Sequence, residues 1–282
     1  MRWLVTGGNG MLGQDLVDLL RERGHEVTAV DRDELDITDP RSTSGAADGY
    51  DVVANVAAFT AVDAAEEQEH AAFTVNAVGP QLLARAAREA GARMVQISTD
   101  YVFDGHATSP YAENAPMAPR SAYGRTKGAG EWAVRAENPD HLIVRTAWLY
   151  GARGKCFPKT IARIAAEKGG LDVIADQVGQ PTWTVDLADL VERLVATGAP
   201  AGTYHGTSGG QTSWHGFAQA AVATAGMDPQ IVRPTTSEAF ASAAPRPAYS
   251  VLGHDALTAA GVQPIGDWAE RWAVAGEQVL GL

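Results

Sequence analysis

The chain has 282 residues, 45% of them hydrophobic and 20% charged, which suits one large or two modest globular domains and excludes a disordered chain. A net charge of −12 argues against a nucleic-acid partner, because neutralising phosphates takes a basic surface. Cys156 is the single cysteine, so neither an intrachain disulfide nor a thiolate metal cluster can form, and the seven histidines show no HxxxH or HExxH spacing.

Trp3 to Thr6 predicts a short buried strand, followed at once by the glycine-rich Gly7 to Gly13. These few apolar residues are too short for a signal peptide, and no later run reaches the ~18 apolar residues of a membrane span, so a cytoplasmic protein without membrane contact is expected. Leu12, Leu16, Leu19 and Leu20 recur at helical spacing from Met11 until Gly24 stops the helix. Glu26 to Val30 predicts the second strand, Asp51 to Val56 the third, Arg93 to Ser98 the fourth and Leu142 to Arg145 the fifth, with a long helical tract over 71–90.

Strands alternating with helices predict an α/β fold, a Rossmann-type doubly wound parallel sheet, with residues 1–150 as the dinucleotide-binding domain. Beyond about residue 150, helical tracts near 157–168, 184–197, 214–225 and 266–279 are separated by Gly- and Pro-rich stretches at 198–203 and 243–248. Residues 151–282 are therefore expected to be mainly a smaller substrate-binding region, with some segments returning to the Rossmann domain.

Gly7, Gly10 and Gly13 form GxxGxxG between the first strand and the first helix. Glycine permits the tight turn and a close backbone approach to a pyrophosphate, and the helix N-terminus offers free N–H groups to it. Asp31, at the end of the second strand, is placed to accept a ribose 2′-hydroxyl and favours NADH, whereas Arg32 beside it can hold the 2′-phosphate of NADPH. Both cofactors stay open at this point.

Ser98-Thr99-Asp100 ends the fourth strand, on the edge where such sheets bind ligands, and Tyr123-Gly-Arg-Thr-Lys127 follows. Spacing i,i+4 puts phenol and ammonium on one helix face, where the ammonium is expected to lower the tyrosine pKa. With a Thr99 hydroxyl holding a carbonyl, the set suits proton delivery to the oxygen while hydride arrives at carbon. The cations Arg153, Lys155, Lys159 and Arg163 are one candidate gathering for an anionic ligand.

With these residues in place the chain resembles the extended short-chain dehydrogenase/reductase family, and within it most closely the dTDP-4-dehydrorhamnose reductase group. The resemblance rests on Ala57-Ala-Phe-Thr-Ala-Val-Asp63, Val75-Asn-Ala77, Ser98-Thr-Asp-Tyr-Val-Phe103, Tyr123 to Lys127, Arg145-Thr-Ala-Trp-Leu-Tyr150, Asp176-Gln-Val-Gly-Gln-Pro-Thr182 and Arg246-Pro-Ala-Tyr-Ser-Val-Leu252. It implies NAD(P)H-dependent reduction of the C4 ketone of a dTDP-linked 4-keto-6-deoxyhexose, dTDP-4-dehydrorhamnose to dTDP-L-rhamnose or a close analogue. By the same resemblance Gly10, Met11 and Leu12 contact the dinucleotide phosphates, and Asp31, Asp36 and Ile37 surround the adenosine end. Ala58, Phe59 and Thr60 then lead toward the nicotinamide side. Thr99 and Asp100 contact the sugar, Tyr123 is the proton donor, Trp148 lines the sugar pocket and Arg246 suits a sugar diphosphate.

Two positions depart from the group: Phe59 stands where relatives often carry histidine, and Gln14-Asp15 stand where some carry a metal-binding glutamate, so no metal is expected. The resemblance admits a homodimer. Two other functions compete. One is a sugar-nucleotide epimerase or dehydratase of the same fold, but dehydratases place Asp-Glu after the threonine where this chain has Asp100-Tyr101. The other is a non-catalytic NAD(P)-binding regulatory subunit, against which Thr99, Tyr123 and Lys127 argue.

Overall fold

The computed structural model describes residues 1–240 and 242–282. Its central sheet holds β1 (Arg2–Thr6), β2 (Glu26–Val30), β3 (Val52–Asn55), β4 (Arg93–Thr99), β5 (His141–Thr146) and β6 (Gly202–His205). They run parallel in the order β6-β5-β4-β3-β1-β2. The order reverses between β1 and β3, which opens a crevice beyond the C-terminal strand ends.

Side chains of a strand alternate between faces, and the two faces find different helices. Trp3, Val5, Val52, Val95 and Leu142 pack with Leu16 and Leu20 of α1 (Met11–Glu22) and with Leu187 and Leu190 of α5 (Thr184–Ala196). Leu4, Val53, Met94 and Ile143 pack on the other side with Leu83 of α2 (Gly79–Glu89) and Val134 of α3 (Ala122–Glu137). A further apolar cluster joins Tyr150, Trp183, Phe217 and Trp272, drawing together α6 (Trp214–Thr224) and α7 (Trp268–Leu280). Ile161 and Ala165 of α4 (Phe157–Lys168) meet Val173, Val222 and Val232 in another. No helix among the described residues is long and apolar enough to cross a membrane.

Two stretches differ from what the pattern predicts. The single helical tract over 71–90 is broken: it falls on the end of a short helix, Glu69–Phe73, a widened π turn, Thr74–Val78, and α2, which begins only at Gly79, and a further short helix, Val62–Glu67, precedes it. The cause is Asn76, whose Oδ1 accepts the Phe59 N–H at 2.8 Å while Nδ2 donates to the Phe59 carbonyl and to Thr126 Oγ1 at 3.1 Å each. Such turns are rare and occur mostly as single widened turns within helices, frequently at functional sites. The Gly- and Pro-rich stretch near 198–203 leads directly into β6, which hydrogen-bonds alongside β5 as the edge of the sheet. Its alternation spans only four residues, too few to register as a period.

Gly130 lets α3 settle against this turn, since a Cβ there would collide with the Asn76 carbonyl. Gly130→Ala is expected to cost about 1–3 kcal/mol of stability, as overpacking does. Urea unfolding of the two proteins measures it; an unchanged midpoint would mean that α3 is free to retreat.

Candidate active site

The crevice is a cavity of about 1300 Å³, larger than one drug-sized ligand requires and roomy enough for two elongated ones. Its floor is the turn from β1 into α1. Gly7 has φ +73°, and a Cβ on it would lie 2.7 Å from the Ala57 nitrogen. A Cβ on Gly13 would collide with the Gly7 carbonyl, so α1 can approach β1 only without side chains there. Gly10 caps α1 with no side chain bonded to the first turn, leaving its N–H groups for an anion. This cradle, which any side chain would fill, fits the pyrophosphate of a dinucleotide.

Gly7, Gly10, Met11, Leu12, Asp31, Ala58 and Thr60 all line the cavity. Asp31 accepts the Asn9 N–H through Oδ2 at 2.8 Å, which fixes its carboxylate at the rim. Arg32 points away, with a side chain 83% exposed that pairs with Asp36 at 3.7 Å. Asp36 and Ile37 stand outside the cavity wall. Asp36 accepts the Thr38 hydroxyl and N–H at 2.6 and 2.9 Å, which hold its carboxyl below the usual range, and Ile37 is buried against Gly79. The Phe59 ring packs with Ala65, Ala72, Ala122 and Tyr123 while its backbone is held by Asn76.

On the opposite wall stand Thr99, Asp100, Tyr123 and Lys127. The Thr99 hydroxyl donates to Asp100 Oδ1 at 2.9 Å and accepts the Tyr101 N–H at 3.2 Å. Burial pushes the Asp100 carboxyl up to about 6, against the pull of that hydrogen bond. Ser121 caps α3 by accepting the Gly124 N–H, so Tyr123 stands in the first turn of the helix. Tyr101 meets the Tyr123 ring edge-on, centroids 5.5 Å apart. Lys127 donates to the Ile97 carbonyl at 2.6 Å, and burial draws its ammonium down to about 8, with Glu131 opposing. The lowered tyrosine predicted from the i,i+4 spacing is not found. Burial pushes the Tyr123 phenol above its ordinary value, with Thr99 pulling the other way and the Asp100 carboxylate adding to the rise, and the Lys127 ammonium, which donates to a β4 carbonyl, does not offset it.

The remaining wall comes from beyond β5. Trp148 is the one non-glycine residue with positive φ among those described, at 49°. Its indole stacks on Trp214 at 3.5 Å, and a Cβ on Gly179 would lie 2.5 Å from its Cε2. Arg246 lines the cavity but is already engaged, donating to the Tyr101 hydroxyl at 3.0 Å and to Asp63 Oδ2 at 2.5 Å. Of the four cations between 153 and 163 only Lys155 reaches the cavity. Arg153 pairs with Asp15 and Asp18, Lys159 donates to the carbonyls of Ala152 and Gly154, and Arg163 pairs with Glu167. No three His, Cys, Asp or Glu side chains among the described residues gather as a metal site.

Residues that the spacing argument passed over support the wall from behind. Ser98, Glu131 and Arg145 form a buried ion pair with its hydrogen bond directly behind Thr99 and Lys127. Glu131 follows Lys127 at i+4, a signal present in the sequence, whereas nothing local marks Trp214 or Gly179 as neighbours of Trp148.

A family profile described as RmlD substrate binding domain matches residues 1–279. A Streptomyces griseus protein named dTDP-4-dehydrorhamnose reductase is 49% identical, covering 95% of this chain and 90% of its own. A Streptomyces niveus protein named dTDP-4-keto-6-deoxy-D-glucose reductase is 48% identical, covering 95% and 93%. A solved dTDP-4-dehydrorhamnose reductase of Bacillus anthracis in complex with NADP superposes with a TM-score of 0.93, at 36% identity, covering 97% of this chain and 98% of that one.

The carboxylate at the rim leads to an expectation for the dinucleotide. NADH should be accepted at least as well as NADPH, because Asp31 repels a 2′-phosphate unless Arg32 swings inward. Steady-state kinetics with both cofactors, in the wild type and in Asp31→Asn, check it. The substitution should raise NADPH use relative to NADH, and a tenfold wild-type preference for NADPH would make Arg32 the governing residue.

Proposed function

Because the chain belongs to the RmlD substrate binding domain family, we propose that it reduces the C4 ketone of a dTDP-linked 4-keto-6-deoxyhexose, with NADH or NADPH as reductant, in the cytoplasm. The observation that carries the reading is the facing of two walls across one cavity: a glycine turn at the N-terminus of α1, and Thr99, Tyr123 and Lys127 at the ends of β4 and α3. Residues 1–150 form the dinucleotide-binding domain and also carry Thr99, Asp100, Tyr123, Lys127 and Trp148 on the opposite wall, while 151–282 are mainly the substrate-binding region. Within the dinucleotide wall, Gly7, Gly10, Met11, Leu12 and Gly13 hold the phosphates, and Asp31 the adenosine ribose. Ala58 and Thr60 guide the nicotinamide end, and Phe59 shapes that strand end through its backbone.

The bound dinucleotide supplies a hydride to the ketone carbon. Tyr123 gives its phenolic proton to the C4 oxygen as negative charge develops there, and Lys127 favours the phenolate left behind, which solvent reprotonates. Burial keeps Tyr123 protonated in the unliganded site, and the proton becomes easier to give only as charge develops on the C4 oxygen. Thr99 turns its hydroxyl from Asp100 to the ketone oxygen, and Asp100 accepts a sugar hydroxyl in exchange. Trp148 forms one side of the sugar pocket, and Arg246, tied to Asp63, closes the diphosphate side.

Tyr123→Phe should lower the rate of single-turnover hydride transfer by ~10² or more while NADH binding, followed by fluorescence, survives. Thr99→Val should lose less, since it removes a hydrogen bond and no proton. Wild-type rates in Tyr123→Phe would overturn the assignment of the donor. A properly folded chain that binds NADH yet transfers hydride to no 4-keto-6-deoxyhexose nucleotide would favour the regulatory-subunit alternative.

A further inference from the structure

We propose that Glu131 is a positioning residue for this reduction: its carboxylate fixes α3 to the ends of β4 and β5 and places a buried negative charge one turn from Lys127. The inference rests on the roles given above to Tyr123 and Lys127. Glu131 is one helical turn beyond Lys127, and its side chain has no exposure to solvent. Four donors converge on it from three elements. Ser98 Oγ of β4 donates to Oε1 at 2.6 Å, and Arg145 of β5 donates from Nε to Oε1 at 2.8 Å and from Nη2 to Oε2 at 2.7 Å. Arg135, the next turn of α3, donates to Oε2 at 3.0 Å.

Every charged neighbour of this cluster bears on the sign. Behind Arg145, His205 of β6 lies 3.5 Å away, and burial with the Arg145 charge draws it down to about 3, so it is neutral. Glu113 accepts an Arg145 N–H through its carbonyl at 3.1 Å, and its carboxyl, raised by burial, is drawn the other way by the Arg145 charge. On the cavity side stand Tyr123, uncharged, and Asp100, whose carboxyl burial raises. Burial lowers the Lys127 ammonium, and Glu131 is the charge that opposes the fall. The ammonium is present below its pKa and lost above it, so removing Glu131 must move that loss to lower pH, the more so because Arg145 and Arg135 are then left uncompensated.

The chain holds four lysines, at 127, 155, 159 and 168, so NMR of protein labelled with [13Cε]lysine gives a short spectrum in which Lys127 is assigned by its substitution with arginine. In Glu131→Gln the Lys127 midpoint should fall by about one pH unit or more, a tenfold change in ionisation. A folded Glu131→Gln with an unmoved midpoint overturns the proposal. Should that variant fail to fold, Arg135→Gln serves, because it withdraws a half-buried cation from the same carboxylate. Its midpoint should rise, and a fall or no movement overturns the proposal. The pH profile of hydride transfer separates this inference from the reading beneath it. An alkaline limb that follows the NMR midpoint supports both, whereas a midpoint that moves without the limb upholds the action of Glu131 on Lys127 and removes Lys127 from the chemistry.

Discussion

A carboxylate that no water reaches is tolerable only when donors surround it, and Glu131 is such a group. Its donors come from β4, β5 and the following turn of its own helix, so satisfying it leaves α3 one rotation and one height above the sheet. Two glycines of α3 enforce the same placement from the other side. A Cβ on Gly124 would collide with the Tyr101 carbonyl, and one on Gly130 with the Asn76 carbonyl. Tyr123 and Lys127 stand two turns and one turn before Glu131 on a helix held in this way. Their position is thus set by packing behind the site, where no ligand reaches.

Desolvation then acts on both groups in opposite directions. The neutral form is favoured in each, so the phenol rises and the ammonium falls. Below the lysine's pKa the pair is a protonated phenol beside an ammonium, the state from which a proton can be given. In the proposed mechanism, stabilisation of the phenolate by Lys127 gains strength only as the proton leaves Tyr123 and charge appears on the phenolate oxygen, which is where an interaction lowers a barrier rather than tightening ground-state binding. Asp100, buried and raised to about 6, adds negative potential beside the phenol when ionised and so holds the proton on Tyr123 until it is drawn off.

The sheet was legible because parallel strands buried on both faces are continuous apolar runs, and because glycine, the only residue that fits the first turn, is visible by name. Tyr123 and Lys127 were legible because helical spacing places them together. The π turn at Thr74–Val78 was not, since its cause is a contact between Asn76 and the distant Phe59 backbone. The short strands from residue 149 onward were not either: Leu149–Tyr150, Val178–Gly179 and Thr182–Trp183 have two residues each, which carry no period. The direction of the Tyr123 shift escaped as well, because spacing shows who neighbours whom on a helix and says nothing of how deeply the pair is buried.

That asymmetry has a physical origin in how the two walls recognise their ligands. The dinucleotide wall works through backbone, and backbone recognition demands glycine at fixed spacing, a demand written into seven consecutive residues from Gly7 to Gly13. The opposite wall works through side chains carried by distant segments. Trp148 shows the difference most clearly: a non-glycine residue at φ 49° carries strain on the order of 1–3 kcal/mol, which surrounding contacts must offset. Here the Trp214 ring and the bare Gly179 backbone do so, from 66 and 31 residues further along the chain. Strain of this kind, maintained at the rim of a cavity, holds the indole in one place before any ligand arrives. The cost of ordering it is thereby met in folding rather than in binding.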